Sequence, residues 1–160
     1  MRPDDERIPD SFEIARKMSL SYSFGIANLT SAHPNSVVLE VKGKSGRTLE
    51  VQACSLGGGR IMINRLDGLD VNCSCEIPTL IVHNLDQPGH VAEVTSMLAH
   101  KSVNIANMSL YRDKRGGSAV MVVEMDQPLP KESLEWLEHL EGIVKVTYIN
   151  VTEGEEDDVL

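Results

Sequence analysis

The chain of 160 residues lacks most features that would place it in a membrane, in an oxidising compartment or on nucleic acid. No stretch approaches the ~18 consecutive apolar residues of a membrane-spanning helix. Asp4, Asp5 and Glu6 stand where a secretory signal would have a basic segment and an apolar run, which points to the cytoplasm. Cysteine is scarce: Cys54, Cys73 and Cys75 are an odd set, unsuited to a disulfide framework and expected to be reduced. Basic residues are outnumbered, 15 Lys and Arg against 24 Asp and Glu, and the net charge of −9 argues against nucleic acid or an anionic membrane as partner. Five of those acids, Glu153, Glu155, Glu156, Asp157 and Asp158, crowd the C-terminus, so the body of the chain is only mildly acidic. Aromatics make up 4%, which leaves an aliphatic core.

What is present suffices for two small domains, with 41% apolar residues to bury. Asp10 with Glu13 reads as a capping-box variant ahead of a short helix whose Phe12, Ile14, Ala15 and Met18 share a face. Residues 21–27 read as β-like, and His33-Pro34-Asn35 breaks the chain. Residues 37–41 are a buried-strand candidate and 48–53 alternate with Leu49, Val51 and Ala53 on one side, so the two form a hairpin. A second hairpin is expected from Ile61, Met62 and Ile63, the Asp67-Gly68 turn and a return strand over 69–73. Pro78 marks a junction, giving a β-rich first domain over 1–77.

Beyond it the pattern changes. Residues 79–83 form a strand and 90–100 a helix, with Val91, Val94, Thr95 and Leu98 at helical spacing. Strands over 103–111 and 118–125 flank the turn-rich Asp113-Lys114-Arg115-Gly116-Gly117. Pro130 opens a second helix lined by Leu134, Leu137 and Leu140 and stopped by Gly142, and 144–151 closes as a strand. Strand, helix, strand, strand, helix, strand is the split βαββαβ order of ferredoxin-like folds, over 78–152. The fold class is therefore α+β, an antiparallel-sheet domain followed by a ferredoxin-like one. Residues 153–160 read as a solvated acidic tail.

The most informative stretch is Asn84-Leu85-Asp86-Gln87-Pro88-Gly89, running into His90 and Val91. A helix N-terminus offers unpaired N–H groups that suit a carboxylate, while Asn84 and Asp86 offer acceptors for an ammonium group. An α-amino acid carries both charges. Pro88 and Gly89 shaping a tight turn, with Asp86 as its cap, is the alternative. Together with Val103-Asn104-Ile105, this loop resembles the ACT domain, an amino-acid-sensing regulatory module. The resemblance covers about 79–151. It implies that two modules pair side by side and hold a small effector at their interface, with Asn84, Asp86, Gly89, His90, Val91, Asn104 and Ile105 as contacts. His90 departs from it, because many members have an aliphatic residue after the glycine.

His33-Pro34-Asn35-Ser36-Val37, Ser55-Leu56-Gly57-Gly58-Gly59 and Glu76-Ile77-Pro78-Thr79-Leu80-Ile81-Val82, taken in order, resemble the β chain of iron-sulfur L-serine dehydratase. That β chain ends in an allosteric-substrate-binding region followed by an ACT domain. The resemblance implies a regulatory part of an enzyme that converts L-serine to pyruvate and ammonia. Its [4Fe-4S] cluster would be held by a partner α chain, with no cofactor in this one. L-serine or a related amino acid would be the effector. Gly57, Gly58 and Gly59 could let backbone N–H groups approach an anion, or serve only as a hairpin connection or hinge. The family's Ser-Ser-His-Thr-like motif is absent, and residues 2–9 read as a linker, so the sequence reads as the latter part of a longer chain.

No catalytic or metal-ligating set emerges. Cys73 and Cys75 share a strand face with Cys54 as a possible third, but short ligand spacing for a cluster is missing, and a zinc site has no second ligand pair. Gly43-Lys44-Ser45 lacks the rest of a phosphate loop. The alternatives to a dehydratase regulator are a stand-alone ACT module and the regulatory end of a phosphoglycerate-dehydrogenase-like enzyme. A homodimer through the ACT domains is expected from the exposed edge of the 103–111 strand.

Overall fold

A computed structural model describes residues 5–150. The acidic tail and the end of the strand expected to reach Val151 lie outside them. A 3₁₀ turn (Ile8–Asp10) enters α1 (Ser11–Lys17), none of whose residues is buried. The expected capping box does not form. Asp10 closes the preceding turn with φ −92° and ψ 6°, away from the extended geometry that aims a cap side chain at the helix N–H groups. Residues 21–27 join no sheet, contrary to the β-like reading. Tyr22 and Phe24 instead pack on Phe12, with ring centroids 5.3 and 5.9 Å away, so aromatic contact replaces a ladder.

The first sheet contains β1 (Ser36–Lys42), β2 (Thr48–Gly57), β3 (Arg60–Leu66) and β4 (Leu69–Cys73), antiparallel and in that spatial order. Positive φ at Asp67 (45°) and Gly68 (83°) suits the tight β3–β4 connection, as the Asp-Gly signal implied. The second sheet contains β5 (Thr79–Leu85), β6 (Ile105–Arg112), β7 (Ser118–Met125) and β8 (Ile143–Ile149) in the order β6-β7-β5-β8. α2 (His90–His100) follows β5 and α3 (Lys131–Glu138) follows β7, completing the βαββαβ unit.

Side-chain alternation divides the second sheet's faces between two cores. Leu80, Val82, Met121, Val123 and Val146 pack with Val94 and Leu98 of α2 and Leu137 of α3. On the other face Ile81, Val120 and Val122 meet Ile63, Leu66, Val71, Cys73 and Cys75. β5 is thus enclosed from both sides, which is why its run of apolar residues does not alternate with polar ones. Polar ties add to the apolar contact: Arg47 donates to the Val146 carbonyl, and Lys145 Nζ to the Thr48 carbonyl (2.8 Å) and Asp67 Oδ2 (2.5 Å).

Three details depart from the sequence reading. The buried stripe of α2 is His90, Val94, Met97 and Leu98, and Val91 is 40% exposed, because the helix is rotated toward its sheet on the Met97 side. α3 ends at Glu138, four residues before Gly142. That glycine (φ 80°) turns the chain into β8 instead of stopping the helix. β1 is not buried: Val37, Leu39 and Val41 are about half exposed, since β1 is an edge strand.

Candidate functional site

The loop 86–89 joins the end of β5 to α2. Gly89 is the N-cap with φ 109°, a left-handed conformation that glycine tolerates, and no side chain caps the helix. Its carbonyl accepts from Glu93 N–H at 2.9 Å. The first-turn N–H groups that follow have no partner within the helix, so the helix start has donor capacity.

Asp86 stands beside this start but is already occupied. Its Oδ2 accepts from Arg112 Nη1 (3.0 Å) and Gly116 N–H (2.9 Å), and its own N–H donates to the Gly117 carbonyl (2.9 Å). The Gly116 N–H, followed by the Arg112 guanidinium, holds the carboxyl below the usual carboxylate range. Asp86 therefore pins the β6–β7 turn, and both side-chain bonds fall on one oxygen. Arg112 also lines a cleft of about 550 Å³ between the β3–β4 turn and β6.

Asn84 is buried on the helix side of β5, and its Nδ2 donates to the Leu85 carbonyl at 2.7 Å. His90 is buried as well. Its Nδ1 lies 3.2 Å from Glu93 Oε2, and its Nε2 has no hydrogen-bond partner among the described residues. The ring packs so closely on Gly142 that a Cβ there would lie 2.5 Å from Nε2. No sequence signal linked His90 to Gly142, because the contact joins the start of α2 to the turn after α3, across β6 and β7.

Asn104 and Ile105 sit beyond the other end of α2. Asn104 N–H donates to Gln127 Oε1 (2.7 Å) and Nδ2 to Asp126 Oδ2 (2.6 Å), which ties the start of β6 to the β7–α3 connection. Eleven helical residues separate this group from the first, a rise of roughly 16 Å. The structure thus gathers Asn84, Asp86, Gly89, His90 and Val91 at one end of α2 and leaves Asn104 and Ile105 at the other. Gly57, Gly58 and Gly59 (φ 82°, 63° and 76°) form the β2–β3 turn. They lie one strand length, roughly 20 Å, from the Asp67 turn that meets His83. They belong to neither group.

Among the described residues no three His, Cys, Asp or Glu side chains could hold a metal ion. Cys54 pairs with Met62 whereas Cys73 pairs with Ile63, so the two cysteines lie on opposite faces of the first sheet and the three do not converge. No described helix is long and apolar enough to cross a membrane.

Residues 78–141 match the ACT domain family. The chain is 32% identical over 145 residues to the probable L-serine dehydratase, beta chain, of Bacillus subtilis, covering 91% of this chain and 66% of that protein. It is 30% identical over 150 residues to the L-serine dehydratase, beta chain, of Peptoniphilus asaccharolyticus, covering 93% and 68%. It is also 31% identical over 90 residues to D-3-phosphoglycerate dehydrogenase of Methanocaldococcus jannaschii, covering 56% and 17%. The chain spans about two thirds of the length of the two β chains.

Proposed function

The chain belongs to the L-serine dehydratase β-chain family and carries an ACT domain, and from that premise we propose that it senses an amino acid, L-serine, for an iron-sulfur L-serine dehydratase. The observation that carries this reading is the uncapped start of α2, open to a carboxylate, with the Asp86 carboxylate beside it for an ammonium group. Asp86 Oδ1 takes neither of the turn's bonds.

The residue groups at the two ends of α2 favour a site shared between two copies. β6 is an edge strand with Leu110 exposed, and a two-fold pairing of β6 edges would set the ends of α2 from two copies side by side. Such a site regulates only if the effector binds one state of the assembly more tightly than another. Catalysis would belong to an α chain. The three cysteines do not fit a [4Fe-4S] cluster, since among the described residues no three donors converge, so the cluster would reside in that partner.

A second reading rests on the phosphoglycerate dehydrogenase relatives: the same sensing unit would serve a different enzyme. Calorimetric titration of the full chain with L-serine, with D-serine and L-alanine as controls, tests the first reading. Stereoselective binding that disappears in both Asp86→Ala and Asn104→Ala is expected, with a mass showing a dimer. Serine binding unaffected by either substitution, or none at millimolar concentration, overturns it.

A further inference from the structure

The sulfurs of Cys73 and Cys75 lie 3.1 Å apart, closer than van der Waals contact of two sulfur atoms. In a regular strand, residues two apart carry parallel side chains separated by roughly 6.6 Å. Here the strand ends at Cys73, and Cys75 has φ 55°, a left-handed backbone that a residue with a Cβ seldom adopts. That turn swings the second side chain back onto the first. Both cysteines are buried, 2% and 6% exposed, in the core shared by the two sheets.

Among the described residues no third His, Cys, Asp or Glu joins the pair to make a metal site. What the pair has is an internal hydrogen bond that separates the two sulfurs chemically. A hydrogen bond joins the two sulfurs and brings the Cys73 thiol below its ordinary value. The same contact, together with burial, pushes Cys75 up. The thiol held lower, Cys73, is the better nucleophile of the two.

We propose that Cys73 and Cys75 form a redox site, oxidised by a small hydroperoxide to a disulfide between them. The Cys73 sulfur attacks the outer peroxide oxygen; an S–O bond forms, the O–O bond breaks, and the remainder of the peroxide leaves as alcohol or water. The Cys75 sulfur then attacks Cys73, the S–S bond forms, the S–O bond breaks, and water departs with the Cys75 proton. The balance is dithiol plus hydroperoxide to disulfide, alcohol and water. The sulfurs close from 3.1 Å to about 2.05 Å, a movement within reach of side-chain rotation. The resulting bond lies on the connection between the two sheets. Burial selects the oxidant, because a peroxide is nearly as small as water whereas a glutathione disulfide is not.

Trypsin places the pair in one peptide, 66–101, and Cys54 in another, 48–60. The full chain is treated with hydrogen peroxide, alkylated after unfolding, and digested. The 66–101 peptide should appear unalkylated, lighter by two hydrogens and restored by dithiothreitol. Cys54, equally buried but facing away, should be modified at least about tenfold more slowly. In Cys75→Ser a sulfenic acid at Cys73 should be trapped by dimedone, and glutathione disulfide should leave the folded wild-type chain unmodified. Full alkylation of both thiols after peroxide overturns the proposal. So does direct conversion to sulfinic acid without a disulfide, or a bridge to Cys54.

Discussion

Each sheet has four antiparallel strands, yet β5 is buried from Thr79 through Asn84 while β1 buries no residue at all. The two strands have similar apolar content, Leu80, Ile81, Val82 and Leu85 against Val37, Val38, Leu39 and Val41. What differs is position. β5 is an inner strand with α2 and α3 on one face and the first sheet on the other. β1 is an edge strand, and its apolar row extends the side of β2 that carries Leu49, Val51 and Ala53. The second domain therefore completes a core of its own, and the first borrows part of its core from the second. Composition reports what a strand is able to bury, and topology decides whether it does.

The largest effect is expected where that contrast is strongest. Leu80 is fully buried between the sheet and its helices, so Leu80→Ala should cost about 2–5 kcal/mol, read from the urea midpoint. Gly142→Ala follows. Its φ of 80° strains any Cβ, and the added carbon would lie 2.5–2.6 Å from the His90 ring. A loss of about 2–3 kcal/mol is expected from strain and overpacking together. The double variant Gly142→Ala with His90→Ala should regain only the overpacking part. An additive loss instead would show that the two residues do not meet.

Acid should separate the domains' junction from their cores. Desolvation of the buried His83 ring, which its neighbour Asp67 only partly offsets, lowers its pKa below the ordinary value of 6.5. The unfolded chain thus binds the proton first, and stability falls as the pH drops below about 6.5. Asp67 is partly desolvated, but Lys145 and the Glu50 N–H outweigh that and hold its carboxyl down. Its contribution is present above the unfolded carboxylate range and is lost as the pH falls further. Two successive decreases should appear in urea midpoints measured across pH, the upper from His83 and the lower from Asp67. His83→Gln should abolish the upper one and leave the lower. An unchanged upper step would assign it to another histidine.

The βαββαβ order was legible because each element carried its own signal. The helical spacing of Val94 and Leu98 marked α2, and the Asp113–Gly117 turn separated β6 from β7. The ends of these elements were less legible. Gly142 looks like a helix stop, yet α3 closes at Glu138 through hydrogen bonds to the Trp136 and Leu137 carbonyls, which any residue can supply. The site was legible as a loop but not as a geometry. The helix expected over 90–100 already stands between Asp86 and Asn104, but nothing in the sequence reveals that Arg112 and Gly116 occupy one Asp86 oxygen. The clamps between Arg47 and Val146, and between Lys145 and Thr48, join residues about a hundred positions apart and have no sequence pattern.

The smallest effect is expected at β1, and it is the sharpest test of the comparison. Leu39 lies opposite Val51 in the ladder and is 51% exposed. Leu39→Ala removes the same atoms as Leu80→Ala, but about half of that surface is already hydrated, and the edge leaves no enclosed cavity. The penalty should fall within about 0.5–1 kcal/mol. Both variants measured at one protein concentration share any contribution from association through β6, so the difference between them reports burial alone. If Leu39→Ala costs as much as Leu80→Ala, the β1 row is covered in solution, and the contrast belongs to the isolated chain instead of the folded assembly. If it costs little, the first domain tolerates an open apolar edge because its remaining core is anchored to the second domain through Ile81, Val120 and Val122.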